Sequence, residues 1–163
     1  MNKVFLCLGG NLGPREALLH QARERIVSSC GSVVAASQIF ETEGWETKSE
    51  NLYLNQVIEI CTNYDAVTLL DKLMKVEAAL GRERGKVKNA DRHMDIDILF
   101  FNDQIIDNDR LVIPHPRLHL RRFVLVPLNQ IAPLMIHPVF NTKISDLLSG
   151  CKDPLRVNLY QGT

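Results

Sequence analysis

The chain has 163 residues, 45% of them hydrophobic, which suits one ordinary domain spanning residues 1–163. Its 19 Lys and Arg balance 19 Asp and Glu, and this excludes broad electrostatic attraction to nucleic acid or an anionic membrane. No apolar run reaches the length of a membrane span or reads as a signal peptide, because the run after Lys3 stops at Gly9 and Gly10, so a cytoplasmic protein is expected.

Lys3 to Leu8 reads as a short strand, and Gly9 to Pro14 as a glycine turn with a proline suited to a helix start. The helix that follows carries an apolar stripe of Leu18, Leu19, Ala22 and Ile26, and Gly31 closes it. Val33–Thr42 and Tyr53–Cys61 are rich in β-branched and aromatic residues and predict two strands, joined by a polar loop around Trp45 and Lys48 that is a candidate lid. From Asp65 the pattern is helical, with Leu70, Leu73 and Leu80 on one face and Glu77 falling on that same face. Met94–Phe101 predicts a strand with Ile96, Ile98 and Phe100 on one side and Asp95, Asp97 and Leu99 on the other. Beyond it come a turn at Asp107-Asn108-Asp109, a Pro-His-Pro segment, a short helix near Phe123–Leu128 and a C-terminal helix around residues 145–148. The order β-α-β-β-α-β predicts an α+β, ferredoxin-like sandwich: an antiparallel sheet covered on one face by two helices, with extra C-terminal elements. Its other face needs cover or a ligand. Cys7, Cys30, Cys61 and Cys151 have no metal-binding spacing and are expected to be buried thiols.

Two carboxylates at i and i+2 of a strand point the same way, so Asp95 and Asp97 can share hard cations whose remaining ligands are phosphate and water. An isolated Asp-x-Asp more often marks a solvated sheet face. Here an arginine-bearing segment lies directly upstream, bringing anion-binding and cation-binding groups together, as phosphoryl transfer from ATP requires. Arg82, Arg84 and Arg92 lie in a segment with Gly81 and Gly85 that can fold over a polyphosphate and make bidentate contacts. Residues 82–92 carry a net charge of +3 and residues 110–122 carry +4, two cationic patches in an otherwise acidic chain. Such patches suit a compact polyanion. Gly81–Lys86 is one residue too short for a P-loop and does not follow a strand. His115 lies between Pro114 and Pro116, a stiff setting for its imidazole, with Arg117 and Arg121 following.

Taken in order, Leu8–Gly13, Phe40–Glu43, Tyr53-Leu54-Asn55, Val76-Glu77 with Leu80-Gly81-Arg82, Arg92 with Asp95–Leu99, and Pro114–Arg117 with Arg121–Leu128 resemble the 6-hydroxymethyl-7,8-dihydropterin pyrophosphokinases of folate biosynthesis. The resemblance implies transfer of diphosphate from ATP to the pterin's hydroxymethyl group, leaving AMP. It assigns two Mg2+ ions, bound with ATP, to Asp95 and Asp97, and catalytic-loop roles to Arg82 and Arg92. It assigns ATP contacts to Glu77, Arg84, Ile98, Arg110, His115 and Arg121, and the pterin pocket to Thr42, Tyr53, Asn55 and Phe123. The implied partners are these two small molecules; a monomer is expected, and the balanced charge points to no nucleic acid and no membrane. The chain departs from the family pattern at Gly10, where Ser is usual, and at Glu43–Glu46, Met74, Asn89–Asp91 and Leu120. Two rivals remain at this point: an RNA-binding or ligand-sensing module of the same strand order, and another two-metal phosphoryl or nucleotidyl transferase. The first would display aromatic residues and positive charge where this strand displays Asp95 and Asp97. Only the resemblance separates diphosphate transfer from the second.

Overall fold

In the computed structural model, residues 1–47, 49–81 and 91–162 are described. The buried run Asn2–Gly10 forms a central strand (β1), and Arg15–Ser29 a helix (α1) whose Leu18, Leu19, Ala22 and Ile26 turn inward as their spacing predicts. Ser32–Ala36 (β2) and Phe40–Thr42 (β3) follow, then the long strand Tyr53–Thr62 (β4). Helix α2 (Ala66–Ala79) starts where the Asp65 side chain accepts from the Thr68 backbone N–H at 2.8 Å, satisfying one of the unpaired donors of a helix start. Asp95–Phe101 forms β5. Beyond it lie a small hairpin, Ile106–Asp107 (β6) with Val112–Ile113 (β7), and helix α3 (Arg122–Ile131). A second small hairpin, Ile136–His137 (β8) with Thr142–Lys143 (β9), leads into helix α4 (Ile144–Ser149) and strand β10 (Val157–Leu159).

The main sheet is antiparallel in the order β10-β3-β4-β1-β5, with β2 also pairing β4, and the fold is the α+β ferredoxin-like one. Val4, Leu6 and Leu8 of β1 face α1 and α2 and pack with Leu19, Ile26, Leu69 and Leu73. On the opposite face Phe5, Val57 and Phe100 are covered by Val124, Leu125 and Leu128 of α3 and Ile144 of α4. Each such side chain, fully buried, contributes about 1.5–3 kcal/mol. No described helix is long and apolar enough to cross a membrane.

The structure corrects three expectations. The predicted strand Val33–Thr42 is two strands, because Ser37 takes over the ladder at Val57: its N–H donates to Val57 O at 2.9 Å and its hydroxyl accepts from Val57 N–H at 3.0 Å. Phe100 does not share a face with Ile96 and Ile98. The β1–β5 register jumps from Leu6↔Ile98 to Phe5↔Phe100, so Leu99 is an extra residue, and this bulge sends Phe100 to the face of Asp95 and Asp97. Of the four free cysteines, Cys7 and Cys30 are buried but Cys61 and Cys151 only half-buried.

Candidate active site

Helices α3 and α4 cover only one end of the second sheet face. Toward the other end the same three strands present Cys7 and Gly9, then Tyr53 and Asn55, then Asp95 and Asp97. The ladder sets them in rows: Asn55↔Gly9↔Asp95 and Val57↔Cys7↔Asp97. Neighbouring strands lie about 4.8 Å apart, so Asn55 and Asp95 stand about 10 Å apart with a glycine between them. Glu43 and Trp45 from the loop after β3, with Arg121 and Phe123 from the start of α3, wall in a cleft of about 610 Å³ counted to its open mouth.

At the β4 side of the cleft, Asn55 and Thr42 are both 3% exposed, and Asn55 Nδ2 donates to Thr42 Oγ1 at 2.7 Å. The bond fixes the amide's orientation, leaving an oriented amide next to two aromatic rings, Tyr53 and Phe123. Burial raises the Tyr53 phenol above its ordinary range, against the opposing pull of Arg92, so the ring stays neutral. Gly9 is required here by close approach: a Cβ at residue 9 would lie 2.4 Å from Asn55 Oδ1. Gly10 is required by the chain itself, since a Cβ there would lie 2.2 Å from His93 O, which explains why Ser is absent.

At the β5 side, Arg92 Nη1 pairs with Asp95 Oδ2 at 3.3 Å, and Asp97 stands one row further in. The Cys7 thiol is pushed up by burial and then by Asp97 and Asp95, so it stays protonated beneath them. The Arg121 guanidinium lies 4.6 Å from the Trp45 ring centroid and 5.6 Å from that of Phe123. Its buried Nε has no hydrogen-bond partner among the described residues. Burial lowers its pKa while Asp97 opposes that shift. A half-buried guanidinium with an unused donor, facing two carboxylates, is suited to an anion brought in together with a cation. Among the described residues no three His, Cys, Asp or Glu side chains cluster as metal ligands. Asp95 and Asp97, two carboxylates on one strand face, fit a hard ion such as Mg2+, which is held by one or two carboxylates and takes its other oxygens from phosphate and water.

Of the remaining residues assigned to ATP, Glu77, Ile98 and His115 lie along the outer edge of β5. Glu77 is 3% exposed and its Oε2 accepts from Ile96 N–H at 2.8 Å, which makes it a bracket between α2 and β5. Ile98 turns its side chain into the core, but strand alternation points its N–H and C=O to the same outer edge as the Ile96 N–H. His115 is anchored at the bulge, its N–H donating to Leu99 O at 3.0 Å. Its Nδ1 accepts from Arg117 N–H at 3.2 Å, leaving Nε2 as the donor of the neutral ring. Burial first, then Arg121, pushes its pKa down to about 4. Arg110 pairs with Asp71 of α2 at the surface. Arg82 and Arg84 lie outside the described residues.

Two residues with structural weight were not singled out from the sequence. Asn11, 5% exposed, exchanges hydrogen bonds with the Arg92 backbone, N–H to O and N–H to Oδ1, both at 2.9 Å. Asp91 accepts from Asn11 and from Asn51. A polar residue inside a glycine turn and an acid directly before Arg92 were the available signals.

A family model for 7,8-dihydro-6-hydroxymethylpterin-pyrophosphokinase matches residues 5–133. A 2-amino-4-hydroxy-6-hydroxymethyldihydropteridine pyrophosphokinase of Bacillus subtilis (strain 168) is 38% identical over 133 residues, 80% of this chain and 78% of the relative. Its counterpart from Aquifex aeolicus (strain VF5) is 33% identical over 146 residues, 90% of either chain. Among solved structures, wild-type Plasmodium falciparum HPPK-DHPS with pterin and p-hydroxybenzoate superposes with a TM-score of 0.73 at 18% identity, over 91% of this chain and 41% of that one. That likeness shows the fold alone, and the present chain spans about two fifths of the solved chain.

Proposed function

The chain belongs to the 7,8-dihydro-6-hydroxymethylpterin-pyrophosphokinase family, and we propose that it transfers diphosphate from ATP to the hydroxymethyl group of 6-hydroxymethyl-7,8-dihydropterin in folate synthesis. The observation that carries this reading is the row Asn55–Gly9–Asp95, an oriented amide and a carboxylate pair at opposite sides of one cleft. The hydroxymethyl oxygen attacks the β-phosphorus of ATP, the bond from that phosphorus to the α,β-bridging oxygen breaks, AMP leaves with that oxygen, and the hydroxyl proton is released to water.

Asn55, held by Thr42, reads the amide edge of the pterin while Tyr53 and Phe123 take its flat faces. Asp95 and Asp97 would hold two magnesium ions, which would supply charge neutralisation for the triphosphate when bound. Arg121, with its unused Nε–H, and Arg92, paired to Asp95, reach the phosphates; His115 donates from Nε2 as a neutral ring. The main chain of Ile98, at the outer edge of β5, supplies a donor and an acceptor for adenine, with Glu77 fixing that edge and Arg110 beside it. Arg82 and Arg84 join these phosphate contacts from the adjoining segment.

AMP release from ATP and Mg2+, measured with and without the pterin, tests the reading, with Asp97→Asn as control. AMP that requires both pterin and Asp97 is the expected result. ADP in place of AMP, or an equally active Asp97→Asn protein, would overturn it.

A further inference from the structure

The base of the acid-bearing strand is tied to the loop above the cleft by a carboxylate to which the proposed reaction gives no role. Asp91 Oδ1 accepts from Asn11 Nδ2 at 2.7 Å, and Asp91 Oδ2 accepts from Asn51 Nδ2 at 2.8 Å. Ser49 adds a hydrogen bond to the same carboxylate. These partners come from the turn after β1 and from the loop between β3 and β4, 80 and 40 residues away for the two asparagines, so the contacts are not those of a local turn. Asn11 uses its other groups on the Arg92 backbone. The chain through Asn51, Asp91, Asn11 and Arg92 therefore connects the loop that carries Trp45 to the arginine that pairs with Asp95. The end of that loop is anchored separately, by Arg15, which donates to Leu52 O at 2.9 Å and pairs with Glu41 at 2.7 Å. Bonds from amides to an ionised carboxylate are charge-assisted and directional, so this clasp holds geometry as well as contact.

Resting on the diphosphate-transfer reading, we propose that Asp91 is a positioning residue: it clasps Ser49 and Asn51 to the segment bearing Arg92, so that the loop between β3 and β4 holds Arg92 in place against the phosphates. Asp91 touches no substrate in this scheme. Its effect belongs to the chemical step and passes through Arg92.

The test compares Asp91→Ala, Asn51→Ala and the double variant by single-turnover AMP formation with enzyme in excess over pterin. Equilibrium ATP binding and backbone hydrogen exchange are measured alongside. Each single variant is expected to slow the single-turnover step about tenfold, and the double variant to be no slower than the slower single one, because both remove the same link. ATP affinity should stay within about twofold, and exchange should rise at residues 49–52 but not at residues 4–8 of β1. The swap Asp91→Asn with Asn51→Asp keeps an amide-to-carboxylate bond and should restore the rate. Slowing that multiplies in the double variant, or a wild-type rate in Asp91→Ala, would overturn the clasp. So would exchange that rises equally in β1, since that marks a plain loss of stability. If the wild-type protein forms no AMP, the diphosphate-transfer reading fails on its own, and the clasp is then decided by whether exchange at 49–52 rises in both single variants without a further rise in the double.

Discussion

Adding one methyl group at residue 9 perturbs the pterin side of the cleft without touching any residue assigned to ATP. In Gly9→Ala the new Cβ would sit 2.4 Å from Asn55 Oδ1 and 3.3 Å from Leu54 O. A carbon and an oxygen rarely approach within about 3.0 Å, so something must retreat by about 0.6 Å or more. Leu54 O belongs to a strand paired on both sides, so it is the Asn55 side chain that moves. Its 2.7 Å bond to Thr42 Oγ1 then breaks, with both residues 3% exposed. Leaving a buried polar pair unsatisfied costs about 1–3 kcal/mol in stability. Turning the amide away from the pterin should weaken pterin binding by about tenfold to hundredfold, which corresponds to about 1.4–2.8 kcal/mol. Calorimetric titration of the pterin, in the presence of Mg2+ and a non-hydrolysable ATP analogue, measures this, and the nucleotide affinity should not change. On an Asn55→Ala background the clash has no target, so Gly9→Ala should then cost less than about threefold. Wild-type pterin affinity in Gly9→Ala would refute the reasoning, because it would mean that Asn55 can leave its place without consequence and is not the residue that reads the pterin.

Arg92→Ala should lower kcat by at least about hundredfold and move nucleotide affinity less than about threefold, as expected of a group used mainly in the transition state; equal losses in both would make Arg92 a plain binding residue. Burial first, and then Arg121 for His115 and His119 for His137, holds both histidines down to about 4. The unfolded chain, with histidines near 6.5, binds more protons between those values, so stability is full above about pH 6.5 and falls as pH drops toward about 4, by at most about 3 kcal/mol per histidine. Urea midpoints at about pH 7 and about pH 5 should differ accordingly, and His137→Asn, which keeps an acceptor for the N–H groups of Val139 and Phe140, should shrink the difference. Trp45 is the only tryptophan and lies over Arg121 at 4.6 Å, so ATP binding should change tryptophan emission in the wild type and not in Arg121→Gln. An unchanged response in that variant would show that nucleotide does not engage Arg121.

Most of the fold was legible because its elements announce themselves locally. The stripe of α1, the Asp65 cap and the alternation that puts Asp95 and Asp97 on one side of β5 each depend on neighbours a few residues away. What the sequence did not disclose depends on the partner strand. The bulge at Leu99 exists only in the register of β5 against β1, and nothing within Asp95–Phe101 marks it, since every residue beyond Asp97 is apolar. The split at Ser37 likewise depends on Val57, far along the chain. In the site, residue types pointed to chemistry at Asp95, Asp97 and Arg92, whereas Asn11 and Asp91 act through backbone and side-chain bonds across 80 residues, a pairing that their local setting does not reveal.

The position of the cleft follows from a gradient written along three strands. On the face away from α1 and α2, β1 presents Phe5, Cys7 and Gly9 in turn, so side-chain volume falls to nothing as the chain leaves the cover of α3. Strand β4 runs alongside with Glu59, Val57 and Asn55, and β5 with Phe100, Asp97 and Asp95. Phe5 and Phe100 in the first row are buried and packed; the next two rows exchange volume for an amide, a thiol and two carboxylates. The bulge matters to this pattern. Without the extra residue at Leu99, strict alternation would turn Phe100 to the face of Ile96 and Ile98 and bring Phe101 beneath α3 in its place. The bulge also frees Leu99 O to receive the His115 N–H, so the device that seats Phe100 beneath α3 also anchors His115 beside the outer edge of β5.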